Sequence, residues 1–317
     1  MAAELDVSLI QSPLTAPIIS GQVPVSGATI KAKAAPSVNT NSLEMLEYKY
    51  DVAEMSLATF TKARELGIAL IALPIFPGRR FMQPGVQASK GANIKDPSDL
   101  RGKRVGLPQF WMTSSVWHRL ILHQTYGVAQ NEVSWVTTAK ERLGSLGLPP
   151  EARMDTSGRS ARDLLLAGEI DAVMGAGPRG EGGKADDRIV PVFPDLTKAE
   201  REYYEKSGVF PIAHLIVMKE ELAIQNPELV GSLCNAFEQS KSIGMPGMLA
   251  NTEERPIPGL SEAENKTLFD GDPWKYGIEP NRKVLELFLS DAREQGLVSR
   301  PMFVDRLFPS SLTSAFR

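Results

Sequence analysis

The sequence predicts an α/β protein of two lobes, each built on its own mostly parallel sheet flanked by helices. A chain of 317 residues is long for a single hydrophobic core. Short apolar runs alternate with amphipathic stretches along the chain, which is typical of β-α-β units. The alternation starts again at GVQASKG, near residue 85, so each half carries its own α/β pattern.

The elements follow in a regular order. The first set consists of DVSLI, ATIKAKAA, SLEMLEYKYDVAEM, LATFTKARELG and IALIALPIF. The second set contains the helix TSSVWHRLILHQTYG, the strand EVSWVTT, the helix SARDLLLAGE and the strand IDAVMGA. The chain then returns through the strand VFPIAHLIVMKEE to the helices PELVGSLCNAFEQSKSIG and PNRKVLELFLSDAREQG. These last two helices are expected to pack against a sheet, because a helix must bury its apolar side against another element.

The composition excludes some classes of partner. A formal net charge of -3 leaves no large basic field for nucleic acid. The single cysteine, Cys234, lies in the apolar pattern LVGSLCNAF and is expected to be a buried structural thiol, which fits a reducing compartment. Glu4 and Asp6 stand where a secretory signal would carry basic residues, and no segment approaches the roughly 18 apolar residues of a membrane span. We therefore expect a cytoplasmic protein.

The segment GAGPRGEGGKADDR, residues 175–188, is rich in glycine and charge. It predicts an exposed mobile loop at the C-terminal end of a strand, and such loops border ligand sites in open α/β sheets. It does not open a clear helix, so it is not a dinucleotide-binding fingerprint and is interpreted as a lid. Neither Cys-x-x-Cys nor His-Glu-x-x-His occurs, and no metal site is expected.

Several motifs carry a resemblance to known proteins. DPSDLRGKRVGLP and LLLAGEIDAVMGA resemble the entry to and exit from the second lobe of type 2 periplasmic-binding-protein folds. YDVAEMSLATF, ALPIFPGRRF, LPQFWMTSSVW, YYEKSGVFPIAH and DPWKYGIEPNRKVLELFL resemble the 4,5-dihydroxyphthalate decarboxylase family, a cytosolic branch of that fold. The resemblance covers the chain from about Leu43 to Leu297.

The resemblance implies two lobes joined by two crossing segments, with the ligand in the cleft between them. The crossings are expected near Phe81 to Gln87 and near Gly208 to His214. Lobe I would comprise residues 1–84 and 215–317, and lobe II residues 85–214. Gln83 stands where the family pattern has a histidine.

The implied reaction puts a proton on the ring carbon that bears a carboxylate and expels carbon dioxide. In 4,5-dihydroxyphthalate each carboxylate lies para to a hydroxyl, so the ring itself supplies the electrons and no cofactor is required. The site then needs an acid, cationic anchors for the carboxylates, and apolar walls.

The acid is sought among the three histidines, because only histidine has an ordinary pKa near neutrality. His118 and His123 are five residues apart, about 140° around one helix, and cannot share a catalytic face. His214 follows Phe-Pro at the second crossing, where the resemblance places a Phe-Pro-x-x-His motif. It is the predicted catalytic acid, with a satisfied inter-lobe histidine as the alternative. Glu54 is expected to take a phenolic proton or to orient His214, unless it is a structural acceptor.

The carboxylate anchors are expected in two kinds of place. Arg79 and Arg80 follow a strand and a Pro-Gly turn, and because neighbours on an extended segment point to opposite sides, one of them faces the ligand; the resemblance favours Arg79. Helix starts at SPLT (12–15), SLAT (56–59) and MTSS (112–115) also favour anions. Their hydroxyls either cap the helix or contact ligand. The predicted substrate-binding residues are Arg79, Arg80, Ser56, Thr59, Phe81, Gln109, Met112, Thr113, Ser114, Trp117 and Ala176.

The leading hypothesis is a cytosolic, cofactor-independent decarboxylase of a hydroxylated aromatic dicarboxylic acid. The alternative is a non-catalytic solute-binding protein, of the type that serves ABC transporters, which captures a small aromatic carboxylate. A catalytic relative in cofactor or quinone biosynthesis shares the architecture but has no specific motif here. The partner is a small aromatic carboxylate, without nucleic acid or membrane, and the sequence leaves a homo-oligomer open.

Overall fold

The computed structural model describes residues 3–142, 146–175, 186–312 and 314–316. Its strands are β1 (Ala3–Ile10), β2 (Ala28–Ala35), β3 (Val52–Ser56), β4 (Leu70–Ala72), β5 (Gln87–Ser89), β6 (Arg104–Leu107), β7 (Ser134–Thr137), β8 (Ala152–Met154), β9 (Ala172–Val173), β10 (Ile189–Pro191) and β11 (His214–Lys219). Its α-helices are α1 (Ala16–Ile19), α2 (Val38–Leu46), α3 (Leu57–Glu65), α4 (Thr113–Tyr126), α5 (Ala161–Leu166), α6 (Leu196–Ser207), α7 (Glu220–Gln225), α8 (Pro227–Ala250), α9 (Glu262–Leu268) and α10 (Arg282–Glu294). Single 3₁₀ turns cover Gln83–Gly85, Lys90–Ala92, Pro97–Leu100, Gln130–Glu132, Glu279–Asn281 and Val304–Arg306.

The chain divides into two compact units. The first unit comprises Met1–Arg80, Val209–Arg293 and Val298–Arg317, and the second comprises Phe81–Gly208 and Glu294–Leu297. The sequence placed the lobe boundaries at 84/85 and 214/215, and it did not foresee that residues 294–297 would join the second unit.

The first unit contains a five-stranded sheet in the order β2-β1-β3-β11-β4. β1 pairs in parallel with β2 and β3, whereas β11 is antiparallel to β3 and β4. At the edge, β2 exposes Lys31 and Lys33, and such charges protect an edge from pairing with another chain. In the middle, every residue of β3 is buried, so any polar side chain on β3 must find its partners inside the protein.

The second unit contains a six-stranded sheet in the order β10-β5-β9-β6-β7-β8. β9, β6, β7 and β8 run parallel, and β5 is antiparallel to both β9 and β10. In each sheet one strand, β11 in the first and β5 in the second, runs antiparallel to both of its neighbours. The remaining strand pairs are parallel, as expected for strands joined in β-α-β units. The cores are aromatic, with Trp117, Trp135 and Phe110 fully buried in the second unit and Phe60, Phe76 and Phe237 in the first.

Local signals explain several element boundaries. α5 begins at a capping box in which Ser160 and Asp163 bond each other's backbone N–H groups. α6 ends at Gly208, whose φ of 66° is in the left-handed region that favours glycine. α10 buries Val284, Leu285 and Phe288 at helical spacing, as the pattern predicted.

The structure contains three helices that were not among the expected elements, α6, α7 and α9, and two expected elements have different bounds. The predicted strand VFPIAHLIVMKEE begins only at His214. Just before it, the Ala213 and His214 N–H groups both donate to Gly78 O, at 2.8 Å and 3.0 Å, and this contact with the loop precedes the regular pairing with β3. α8 continues past Gly244 and through Pro246 to Ala250; Pro246 is exposed, so solvent can satisfy the carbonyl that loses its helical donor. Within the described part of the chain, no helix is both long enough and apolar enough to cross a membrane.

Candidate active site

β3 and β11 place Glu54 and His214 side by side in the first unit. In the antiparallel register His214 lies opposite Ser56 and Ile216 lies opposite Glu54, so the glutamate and the histidine are diagonal neighbours on one face. His214 Nδ1 lies 2.9 Å from Glu54 Oε1. The imidazole is about one quarter exposed, at 24%, whereas the carboxylate is 3% exposed. The pair thus joins a buried carboxylate to an accessible imidazole.

Neighbouring polar groups fix the Glu54 carboxylate. Its second oxygen, Oε2, accepts a hydrogen bond from the Ile10 N–H at 3.2 Å. Behind it, Asn41 on α2 donates through Nδ2 to Glu54 O and to Ser8 O, each at 2.8 Å, which ties β3 to β1. A carboxylate can only accept hydrogen bonds, so the imidazole tautomer that matches this contact carries its hydrogen on Nδ1 and not on Nε2. This contact is the geometry expected of a residue that orients His214, one of the three roles that the sequence left open for Glu54.

The turn after β4 carries the predicted cationic anchor. Arg79 forms an isolated antiparallel bridge with Ile212, next to the segment that leads into His214. Its guanidinium donates from Nη2 to Asn281 Oδ1 and, at 3.4 Å, to Lys275 O. Both acceptors are neutral, so these contacts orient the cation without cancelling its charge.

Apolar rings lie beside the same guanidinium, 5.5 Å away at the Phe76 centroid and 6.0 Å at the Phe210 centroid. Arg79 is half-buried, whereas Arg80 is exposed and its backbone N–H donates to Pro211 O at 3.3 Å. The two arginines therefore have different surroundings, as expected for neighbours on an extended segment.

The two predicted helix starts of the first unit, SLAT and SPLT, do not show side-chain caps. Ser56 is the N-cap of α3, but its hydroxyl makes no capping hydrogen bond, and the Leu57 N–H donates to Ala213 O at 3.0 Å. Thr59 is buried in the first turn of α3. At SPLT, α1 is only four residues long, and the Thr15 hydroxyl donates to Ile10 O at 2.6 Å. SPLT therefore closes a local turn and is not an anion-holding helix start.

The start of α4 is the corresponding place in the second unit. Met112 is the N-cap and makes no side-chain cap, while Thr113 and Ser114 form the first helical positions and are both 3% exposed. Among the described residues, the Ser114 hydroxyl has no hydrogen-bond partner. A Cβ placed on Gly175, just after β9, would lie 3.7 Å from Ser114 Oγ. The β9 end and the α4 start thus meet at one edge of the second sheet.

Three other residues of the second unit that were predicted to bind substrate are buried or make contacts within the protein. Trp117, on α4, is fully buried in the core of the second unit. Gln109 donates its side-chain amide to Lys140 O. Phe81 packs edge-on against Tyr203 and Tyr204, with ring centroids 6.4 Å apart in each case. Ala176 lies outside the described residues, as does most of the predicted lid, residues 176–185.

The remaining histidines do not join the Glu54–His214 pair. His118 is buried, and its Nε2 is bonded to Met82 O at 2.8 Å, whereas His123 is exposed. Gln83, at the position where the family pattern has a histidine, accepts the Met82 N–H at 3.0 Å through its own Oε1. These contacts agree with the structural roles expected for His118 and His123.

Sequence reasoning missed Asn281, which lies in the quoted motif DPWKYGIEPNRKVLELFL. Besides holding Arg79, Asn281 donates through Nδ2 to Lys275 O at 2.9 Å and to Gly277 O at 2.8 Å. The asparagine therefore fixes the guanidinium and the segment around Tyr276 together. The only available signal was its place in that motif, because nothing in local periodicity links residue 281 to residue 79.

Tyr276, also unforeseen, is 6% exposed, and its hydroxyl has no hydrogen-bond partner among the described residues. The Lys241 ammonium lies 4.4 Å from its ring centroid. Burial raises the pKa of Tyr276 well above its ordinary value; nearby Glu238, Glu54 and Asp272 add to the rise, and Arg79 opposes it. The phenol therefore stays neutral within reach of the charges of the site.

Comparisons with known proteins identify the family. A 4,5-dihydroxyphthalate decarboxylase from Comamonas testosteroni is 33% identical over 278 residues, covering 84% of this chain and 84% of that protein. The chain belongs to the 4,5-dihydroxyphthalate decarboxylase family. A second family member, from Pseudomonas putida, is 32% identical over 134 residues, covering 40% of this chain and 52% of that protein. The family predicted from the motifs is confirmed, although no family model matches the chain.

Solved structures show the fold. The aliphatic sulphonate binding protein SsuA from Escherichia coli aligns over all of both chains with a TM-score of 0.59 at 13% identity. SsuA from Xanthomonas axonopodis, bound to MOPS, gives 0.54 at 13% over 96% of this chain and 98% of that one. The desulfurization enzyme DszB gives 0.55 at 17% over 98% of each chain. The family member therefore has the predicted two-lobed periplasmic-binding-protein fold, which serves both binding proteins and at least one enzyme.

Proposed function

We propose that this family member is a carboxy-lyase that removes one carboxylate from a hydroxylated aromatic diacid resembling 4,5-dihydroxyphthalate. The observation that carries the proposal is the pairing of His214 Nδ1 with the buried carboxylate of Glu54 at 2.9 Å. Two named decarboxylases of the same family, one of them matched over most of its length, support the reaction class.

The chemistry begins on the substrate ring. The hydroxyl para to a carboxylate gives its proton to solvent water, and the resulting phenolate pushes electron density onto the carbon that bears that carboxylate. His214, protonated on both nitrogens, then transfers its Nε2 proton to this carbon. The carbon–carboxylate bond breaks, its electron pair restores the aromatic ring, and carbon dioxide leaves. The phenolate takes up a proton, so each turnover consumes one proton overall.

Glu54 assists by stabilising the imidazolium. A carboxylate that accepts the Nδ1 hydrogen favours the doubly protonated ring and holds its orientation. Glu54 does not serve as the phenolic base, because both of its oxygens already accept hydrogen bonds and its side chain is almost fully buried. Glu54 is therefore a positioning residue for His214 in this proposal.

Arg79 is proposed to bind the carboxylate that the reaction retains. Asn281 and Lys275 O hold the guanidinium in place through Nη2, and the planar, always charged guanidinium is the side-chain group best matched to a carboxylate. We propose the first turn of α4, with Thr113 and Ser114, as a second element that holds an anion. Backbone N–H groups at the start of a 14-residue helix favour negative charge, and the buried Ser114 hydroxyl adds a donor.

The decisive experiment is turnover with 4,5-dihydroxyphthalate, measured as carbon dioxide release and as formation of the monocarboxylate. In D2O the product should carry one deuterium at the carbon that lost its carboxylate. Phthalate, which lacks both hydroxyls, should bind but release no carbon dioxide, because its ring cannot supply the electrons. Calorimetric binding of several hydroxylated diacids without any turnover would refute the enzyme and favour the solute-binding alternative.

Two variants separate the proposed roles. His214→Ala should reduce kcat by about 10²-fold or more with little change in affinity, whereas Arg79→Ala should mainly reduce affinity. His123→Ala and Arg201→Ala are the matched controls, because both residues are exposed on helices of the second unit. An Arg79→Ala variant that kept its affinity and lost only kcat would contradict the anchor assignment.

The cellular location and the oligomeric state of the protein are also part of the proposed function. A cytosolic protein is consistent with Cys234, which is a buried free thiol. Cell fractionation tests the location, and light scattering distinguishes a monomer from a homo-oligomer. Recovery of the native protein from a periplasmic fraction would contradict the cytosolic location and strengthen the solute-binding alternative.

A further inference from the structure

Gly78 is the point where the anchor loop contacts the histidine. Its carbonyl accepts the backbone N–H groups of Ala213 at 2.8 Å and of His214 at 3.0 Å. These two bonds hold the main chain of the loop against the main chain that enters β11. Arg79 is the next residue, so one peptide segment fixes both the proposed anchor and the backbone of the proposed acid.

The imidazole lies directly over the Gly78 Cα. A Cβ built on Gly78 would lie 2.5 Å from His214 Nδ1, 2.6 Å from Cγ and 2.7 Å from Cβ. Non-bonded heavy atoms settle at about 3.5–4.0 Å, so a methyl group would force the ring back by roughly 1 Å. The His214 backbone cannot retreat with the ring unless it breaks the two bonds to Gly78 O.

Gly78 is not required for its backbone conformation. It is absent from the glycines with positive φ, so an alanine could adopt the same main-chain geometry. The requirement for glycine is therefore steric, and the three heavy atoms nearest to the added Cβ all belong to the His214 side chain.

We propose that Gly78 is a positioning residue that, by lacking a side chain, lets His214 keep Nδ1 on Glu54. A retreat of roughly 1 Å would stretch the 2.9 Å contact beyond hydrogen-bond range and turn Nε2 away from its working position. The inference deepens the proposed function, because it rests on His214 as the acid and adds the glycine that sets its orientation.

The expected kinetic effect of Gly78→Ala is specific. Misplacement of a catalytic group by 1 Å lowers turnover by about 10²-fold, and we expect that loss in kcat. KM should change by less than about threefold, because the Arg79 guanidinium is held by Asn281 and Lys275 O, which are not among the atoms nearest to the added methyl group. The matched control is Gly247→Ala, since nothing lies within 4 Å of its added Cβ and its φ is not positive.

The test combines kinetics with a signal from the imidazole itself. In the wild-type protein and in Gly247→Ala, nitrogen-15 NMR of labelled histidine should show a hydrogen-bonded Nδ1–H for His214. Gly78→Ala should lose that signal together with kcat. A variant that keeps both the Nδ1–H signal and at least half of kcat would overturn the inference, as would loss of kcat with an unchanged signal.

A double variant covers the case in which Gly78→Ala folds poorly. His214→Gly removes the three atoms nearest to the added methyl group, so Gly78→Ala should lower the melting temperature much less in that background than in the wild-type protein. An equal drop in both backgrounds would overturn the inference. If the wild-type protein shows no turnover on any diacid, the proposed function fails, and the Nδ1–H signal and the double variant still decide the role of Gly78.

Discussion

Replacing Glu54 by glutamine tests the central pair most directly. In the wild-type protein two donors meet two acceptors, since Ile10 N–H donates to Oε2 at 3.2 Å and His214 Nδ1–H donates to Oε1 at 2.9 Å. Glutamine has the same shape but offers one acceptor and one donor. The backbone N–H of Ile10 cannot change, so the amide oxygen must face Ile10 and the amide NH2 must face Nδ1. The histidine is then forced to carry its hydrogen on Nε2.

The size of the expected loss in kcat follows from the hydrogen bond that the glutamine amide can no longer accept from His214. A hydrogen bond to a charged group contributes about 1.5–3 kcal/mol, and leaving a buried donor unsatisfied costs about 1–3 kcal/mol more. The imidazolium needs hydrogens on both nitrogens, so both terms oppose its formation in the variant. Their sum, about 2.5–6 kcal/mol, corresponds to a loss of roughly 10²- to 10⁴-fold in kcat.

The assay is kcat and KM for 4,5-dihydroxyphthalate, with the melting temperature as the control for folding. We expect Glu54→Gln to fold, because the neutral imidazole can take up the other tautomer and satisfy the amide. KM should change little, because Glu54 does not contact the substrate in this mechanism. A Glu54→Gln protein that retained a tenth or more of the wild-type kcat would refute the orienting role.

Three further predictions concern stability. Tyr276→Phe should leave the melting temperature unchanged or raise it, because the hydroxyl has no partner among the described residues; a loss above about 1 kcal/mol would show that it has one. Burial raises the pKa of Glu200 from 4.5 to about 8, so the native state keeps a proton that the unfolded chain loses, and stability should fall as pH rises from 4.5 to 8. Glu200→Gln should therefore be more stable than wild type in urea melts at pH 9, by a few kcal/mol, and equal to it at pH 4; an equal gain at both values would contradict the burial effect. Gly244→Ala should lower the free energy of unfolding by about 1–3 kcal/mol or more, because its Cβ would lie 1.9 Å from Pro13 O. Gly247→Ala on the same helix should leave the free energy of unfolding unchanged or raise it.

The fold could be predicted from the sequence because its signals are local. Apolar runs in alternation with amphipathic stretches specify β-α-β units, and the buried face of α10 is visible in the spacing of Val284, Leu285 and Phe288. The start of β11 could not be predicted in this way, because residues 209–213 are as apolar as the strand itself. Hydrogen bonds to Gly78, more than 130 residues earlier in the chain, decide where the strand begins.

The candidate site was predictable only in part, for the same reason. Glu54, Arg79 and His214 could be chosen because their chemistry is distinctive and their motifs resemble a family. Asn281 and Gly78 have no distinctive chemistry, and their importance comes from tertiary neighbours. Asn281 contacts Arg79 across 202 residues of sequence, and Gly78 matters only because the imidazole lies over it.

The choice between a catalyst and a binding protein depends on the charge beside the histidine. The fold cannot decide it, because structures at 13–17% identity include sulfonate-binding proteins and a desulfurization enzyme. A protein that only captured an aromatic dianion would gain nothing from Glu54, since a carboxylate in that region repels the ligand and must also lose its hydration to be buried. The same carboxylate favours a proton on His214, which is what protonation of a ring carbon requires. On this reasoning, Glu54→Gln should bind the substrate at least as tightly as wild type while it loses turnover, and a binding protein would show only the first effect.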